Sequence, residues 1–254
     1  MGVIMEQNQV NSNIIFGRNA VFEAVRSNRE IDRLLVAHQN TLGSVAAIIA
    51  KCKEKGILIK EVPSSKLDFL CNNQNHQGVA AIIANFEYCS VQDILDAAKE
   101  KNHNPFIIIC DEIEDPHNLG AIVRSAEAAG ADGIIIPKRR AASVNATVAK
   151  SASGALEYMK IARVTNLVNE MEYLKKQGIW IFGADMGEPN WTKTDFTGPV
   201  AIVIGNEGKG IGRLVLEHCD QVVSLPMLGE INSLNASVAA GVLMYEVVRQ
   251  RTLK

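Results

Sequence analysis

The sequence predicts an α/β protein of two units, the larger being a carboxyl-terminal, doubly wound parallel sheet. Three observations carry this expectation. Short apolar runs at 106–109, 133–136, 179–182 and 200–204 are bounded by turn residues, as strands buried on both faces are. Helical patterns at 118–129, 145–155, 167–177 and 236–249 supply the crossovers that parallel strands need. A polar, charged stretch at 86–105, with an amphipathic segment at 91–101, reads as a linker between this region and a smaller segment upstream.

The upstream segment alternates on a smaller scale. Residues 20–27 read as helix, 33–37 as strand, 44–55 as helix, 57–62 as strand, 66–71 as a short helix and 79–84 as strand. Bounded at 14–85, it is long enough for a small α/β domain, and the second domain is expected over 106–254. Residues 1–13 are polar after Met5 and read as a disordered tail. They hold no basic stretch followed by an apolar core, so no signal peptide is expected. Glu6 stands where a myristoylation motif requires Ser or Thr.

Composition narrows the function. With 47% hydrophobic and 21% charged residues and no run of eighteen apolar ones, the 254-residue chain is expected to be soluble and cytoplasmic, without a membrane partner. Cys52, Cys71, Cys89, Cys110 and Cys219 lie far apart, and their odd number argues for reduced thiols rather than a disulfide framework. The histidines lack ligand spacing with Cys or carboxylates, so no metal is expected. A net charge of −2 gives no global attraction to phosphate, which leaves local basic clusters to carry any nucleic-acid binding. Lys138, Arg139 and Arg140 at a strand end, with Lys150 nearby, form the best-placed cluster; the alternative is solvated surface. Arg18, Asn19, His76 and Gln77 sit beside turns and either meet a nucleic acid or satisfy loop backbone. Aromatics make up only 5% of the chain, which for any nucleic-acid partner favours recognition of folded shape over stacking along a single strand.

In a doubly wound sheet, ligands sit at the carboxyl ends of strands, and three loops there are unusual. The first runs from Asp111 to Gly120. In it Asn118 either caps the next helix or does chemistry, Gly120 suggests close approach of another backbone, and Arg124 is a fork donor among apolar neighbours. The second, Gly205 to Gly212, places four glycines around the single carboxylate Glu207, which lets backbone amides approach a ligand. It has neither Walker A spacing nor the dinucleotide fingerprint. In the third, from Leu225 to Asn235, Ser233 and Asn235 are either helix caps or site residues, and Leu225, Met227 and Leu234 could line a pocket for a flat ring or a thioether.

In this order and spacing the three loops resemble the three motifs of the SpoU/TrmH family of SPOUT methyltransferases. Asn118, Gly120 and Arg124 match the first, Gly205, Asn206, Glu207, Gly208 and Gly210 the second, and Leu225, Pro226, Ser233, Leu234 and Asn235 the third. The stretch from Pro137 to Ala155, with Gly17 to Ala20 and His76 to Val79, is similar to the subgroup that methylates guanosine in 23S ribosomal RNA.

The resemblance implies a deep trefoil knot in the carboxyl-terminal domain, a homodimer that completes the site, and an RNA-binding first domain resembling a ribosomal protein. It implies S-adenosylmethionine as methyl donor, held by Gly205, Leu225, Met227 and Leu234, with no metal. The catalytic set it implies is Asn118, Arg124, Glu207, Ser233 and Asn235. Contacts to ribosomal RNA or an assembly intermediate, not DNA, are expected from Arg18, Lys138, Arg139, Arg140 and Lys150. The alternatives are ribose methylation of transfer RNA and a non-catalytic RNA-binding assembly protein.

Overall fold

A four-stranded mixed sheet and a six-stranded parallel sheet organise the chain. The computed structural model describes residues 14–27, 31–38, 43–83, 86–187 and 190–252, and divides into the units Met1–Glu87 and Tyr88–Lys254. The tail expected over residues 1–13 lies outside the described residues, as does Ala84 at the end of an expected strand.

The first unit comprises β1 (Ile14–Phe16), α1 (Arg18–Arg26), β2 (Ile31–Ala37), α2 (Ser44–Glu54), β3 (Leu58–Val62), α3 (Ser64–Leu70) and β4 (Val79–Ile83). Its sheet runs β1-β4-β2-β3, with β2 and β3 parallel and the other pairs antiparallel. Successive side chains of a strand point to opposite faces. Leu34 and Val36 therefore join one core with Val21, Val25 and Ile48 from α1 and α2, while Leu35 and Ala37 join a second with Leu67 and Cys71. Both faces of β2 are covered over its second half, which is why Leu34 to Ala37 form a continuous apolar run.

The second unit contains α4 (Val91–Glu100), β5 (Phe106–Cys110), α5 (Pro116–Ala128), β6 (Gly133–Pro137), α6 (Ala146–Ala152), a 3-10 turn (Ala155–Glu157), β7 (Lys160–Val164), α7 (Leu167–Lys176), β8 (Trp180–Ala184), β9 (Val200–Ile204), α8 (Arg213–Glu217), β10 (Gln221–Val223) and α9 (Ala236–Thr252). All six strands are parallel, in the order β10-β8-β9-β5-β6-β7. From central β5 the chain builds outward through β6 and β7, crosses to β8, returns to β9 and leaves through β10. The order thus reverses beside β5 and β9, where such sheets bind ligands outside the strand ends.

Of residues 86–105, expected as a linker, all from Tyr88 onward belong to this second unit. Ser90 and Asp93 form a capping box that starts α4, and Val91 and Ile94 are buried in the core with Ile107, Ile135 and Leu174. A methyl group at Gly133 would sit 2.6 Å from Ile94, so the bare glycine lets α4 lie flat on the sheet. The amphipathic period was legible in the sequence, but the surface receiving its apolar face was not. Strands β7 and β10 and helix α8 were also missed. β7 carries Lys160 and Arg163, and β10 and α8 are too short for a periodic signal.

Candidate active site

Local hydrogen bonds build the glycine loop after β9. Asn206 Oδ1 accepts from the backbone N–H groups of Gly208 and Lys209 at 2.9 and 3.2 Å, and the backbones of Asn206 and Gly210 bond reciprocally. The Asn206 amide nitrogen donates to the Glu112 carbonyl at 3.0 Å, which ties the loop to the one after β5. Asp111 adds a second tie by accepting from the Gly212 N–H at 2.7 Å, and burial pushes its carboxyl upward from the ordinary range. Within the turn, a methyl at Gly205 would lie 2.4 Å from both Gly210 C and Ile211 N. Only glycine permits this backbone approach.

Glu207 at the tip joins all three loops. Asn118 Nδ2 donates to its Oε1 at 2.5 Å, and Asn235 Nδ2 donates both to that oxygen and to Asn118 Oδ1, the latter at 2.9 Å. Asn235 Oδ1 faces the other way and accepts from the backbone N–H groups of Ser237 and Val238 at 3.0 and 3.3 Å, capping α9. The two ends of one amide therefore cap α9 and bond to the Glu207 cluster. Asn118 is not the cap of its helix. Asp115 takes that position by accepting from the His117 N–H at 2.9 Å, with Pro116 next, which leaves Asn118 buried inside α5 and free to reach Glu207.

Beside this node lies a cavity of about 600 Å³. Gly205, Leu225, Met227 and Leu234, the expected cofactor residues, all line it, and so does Ser233. Helix α9 and the end of β8 supply further wall, and Asp185, Met186 and Gly187 of the latter carry no motif in the sequence. An apolar floor, exposed loop amides and a few polar groups suit a ligand of nucleoside size.

Arg124 does not line this cavity. It is exposed, six residues or about 9 Å along α5 from Asn118. Its Nη1 donates to Ser153 Oγ at 3.4 Å, and Ser153 ends α6 in the left-handed conformation. Gly120 allows α5 and α6 to meet here, since a methyl on it would sit 2.4 Å from Ser151 Cβ and 2.8 Å from the Val148 carbonyl oxygen. Lys138 is half-buried and Arg139 exposed beyond β6, and Lys150 is exposed on α6. Arg140 is already engaged, paired with Glu112 at 3.0 Å. Among the described residues no group of three or more His, Cys, Asp or Glu side chains could hold a metal. Nor is any described helix long and apolar enough to cross a membrane.

In the first unit, the Arg18 backbone N–H and Nε donate to the Gln77 side-chain and main-chain oxygens at 2.9 and 3.2 Å. His76 accepts from the Gly78 N–H at Nδ1, which leaves Nε2 protonated to donate to Asp68 at 3.0 Å. His76 and Gln77 thus satisfy loop backbone, the plainer of their two readings, and hold Arg18 at the surface.

Residues 105–245 match the SpoU rRNA Methylase family, covering more than half the chain. The chain belongs to that family. Residues 14–89 match RNA 2′-O ribose methyltransferase substrate binding. This chain is 50% identical over 238 residues to YacO of Bacillus subtilis (strain 168), assigned to the TrmH family of tRNA/rRNA methyltransferases, covering 93% of this chain and 95% of that one. A Staphylococcus aureus (strain MSSA476) relative assigned to the same family is 44% identical over 239 residues, covering 94% of this chain and 96% of its own. Among solved structures, the SpoU methyltransferase AviRb from Streptomyces viridochromogenes, in complex with AdoMet, superposes with a TM-score of 0.59 at 27% identity. That match covers 95% of this chain and 91% of AviRb.

Proposed function

We propose that the chain transfers the methyl group of S-adenosylmethionine to the ribose 2′-hydroxyl of a guanosine in 23S ribosomal RNA. One observation carries the reading: a single carboxylate, Glu207, joins the three motif loops beside a cavity of nucleoside size. The cavity suits the donor, with Leu225, Met227 and Leu234 offering apolar surface to an adenine ring and thioether chain. The Gly205 cradle, which a methyl would fill, brings backbone amides to the ligand. Loops 205–212 and 224–235 would cross as the family's trefoil knot.

When bound, S-adenosylmethionine supplies a methyl group on a sulfonium, an electrophile with a good leaving group. The protein must hold a poorly nucleophilic hydroxyl in line and help its proton leave. A guanidinium stays protonated at neutral pH and cannot be the base. Arg124 therefore grips the RNA phosphate and orients the hydroxyl, while phosphate or water takes the proton. Asn118, Glu207, Ser233 and Asn235 hold the loops in register. Arg18, Lys138, Arg139 and Lys150 contact RNA phosphate, and Arg140 contributes through its outward edge.

Arg124 lies off the cavity of its own chain, so a second copy supplies it. Helix α9 presents Val238, Val242 and Tyr245 to solvent at 50%, 37% and 53% exposure, spaced along one face, while Leu243, Met244 and Val247 point inward. A helix apolar on both faces is normally covered on both. The homodimer buries this stripe together with Leu228 and Ile231, which are 96% and 76% exposed.

Methyl transfer from labelled donor to unmodified ribosomal and transfer RNA, presented separately, tests the reading. Label on transfer RNA alone would replace the substrate. Absence of donor binding would favour a non-catalytic RNA-binding protein.

A further inference from the structure

The cavity holds a carboxylate to which neither the motifs nor the catalytic cluster assigns a task. Asp185 follows the carboxyl end of β8, between the glycine loop after β9 and the end of β10, and lines the cavity wall. Its backbone N–H donates to the Val223 carbonyl at 3.2 Å, and its Oδ1 accepts from the Met186 N–H at 2.7 Å. The first bond anchors the backbone and the second holds the carboxylate. Both carboxylate oxygens face the glycine turn, 3.7 and 3.8 Å from where a Gly210 Cβ would stand. The other cavity carboxylate, Glu207, already accepts from the amides of Asn118 and Asn235. Asp185 forms no ion pair among the described residues and keeps acceptor capacity on Oδ2.

We propose that Asp185 is a cofactor-binding residue that accepts hydrogen bonds from hydroxyl or ammonium donors of S-adenosylmethionine. The inference rests on the cavity being the donor site. An ionised acceptor forms hydrogen bonds about twice as strong as a neutral one, so a fixed carboxylate in a half-enclosed cavity selects donor-rich ligands. In dinucleotide-binding sheets a carboxylate near a glycine-rich turn binds ribose hydroxyls in this way. The cofactor offers two such sources, its ribose and its methionine ammonium.

Calorimetric titration of Asp185→Asn and the wild type with S-adenosylmethionine, S-adenosylhomocysteine and 5′-methylthioadenosine tests the proposal. Asparagine keeps an acceptor for the Met186 N–H, and an unchanged thermal midpoint verifies the fold. Asp185→Ser serves as a second variant should the asparagine lower that midpoint. The expected result is at least tenfold weaker binding of S-adenosylhomocysteine. A matching loss with 5′-methylthioadenosine, which keeps the ribose and lacks the amino acid, assigns the contact to the hydroxyls; an unchanged affinity for it assigns the contact to the ammonium. Equal affinity of wild type and folded variants for all three ligands overturns the role of Asp185. Absence of binding by the wild type overturns the donor site itself, and this inference with it.

Discussion

Asn118 and Glu207 stand 89 residues apart in the chain, yet the Asn118 amide donates to the Glu207 carboxylate at 2.5 Å. Asn235 closes the cluster by bonding to both. Removing any one member leaves polar groups of the other two without their partner, so the three should behave as a unit. Asn118→Ala and Asn235→Ala are each expected to lower stability by roughly 1–3 kcal/mol, the Asn235 variant more because it also loses the α9 cap. The double variant should cost less than the sum, and chemical denaturation of all four proteins measures this. Strict additivity would mean that the cluster is not coupled.

Gly205→Ala tests the cradle. Its methyl would meet Gly210 and Ile211 backbone at 2.4 Å, and backbone cannot step aside as a flexible side chain can. Cofactor affinity is expected to fall at least tenfold, read by calorimetry, while the far-ultraviolet circular dichroism spectrum stays native. Full affinity would show that the turn relaxes freely.

Val242→Asp tests the dimer. A carboxylate in the middle of the α9 stripe resists burial against a second copy. Sedimentation velocity should show a dimeric wild type and a monomeric variant, with methyl transfer lost in parallel. A monomeric, active wild type would remove the reason for placing Arg124 across an interface.

The amino-terminal and carboxyl-terminal unit folds were legible because strand and helix periodicities survive in sequence, as the alternation of Leu34, Leu35, Val36 and Ala37 between two cores illustrates. The motif residues were legible too, but the division of labour among them was not. Nothing local distinguishes Asn118 as a cap from Asn118 as a ligand of Glu207; Asp115, three residues earlier, decides it. Asp185 was invisible for a related reason. Its neighbours in space are the glycine turn and β10, which come together only through the strand order. The same holds for α4, whose apolar face looks like a linker's until Gly133 offers it a seat.

Helix α9 predicts a pH dependence. Glu246 is buried and accepts from Arg249 Nε and Nη2, both at 2.7 Å, and from Gln250 Nε2 at 2.8 Å. Hydrogen bonds from Arg249, reinforced by Gln250, hold its carboxyl below the usual range against the opposing effect of burial. A carboxylate lowered in the folded state contributes stability above its unfolded pKa and loses it as pH falls through the folded value. Glu246→Gln should therefore cost roughly 1–3 kcal/mol at pH 7, with the difference from wild type shrinking as pH drops below about 4.5. Urea unfolding across that range measures it. A constant difference from pH 7 to pH 3 would show that the ion pair is not the source.

The most direct test of the account is methyl transfer from labelled S-adenosylmethionine to unmodified ribosomal RNA, with the product mapped for 2′-O-methyl ribose and Arg124→Ala and Arg124→Lys run alongside. The account predicts label at one guanosine of 23S RNA. It also predicts at least a hundredfold loss of turnover in Arg124→Ala with donor binding intact, and substantial loss in Arg124→Lys, because a point charge does not replace the guanidinium fork. Full activity of Arg124→Lys would contradict the role given to Arg124. Donor binding without transfer to any ribosomal RNA, free or in assembly particles, would contradict the proposed reaction.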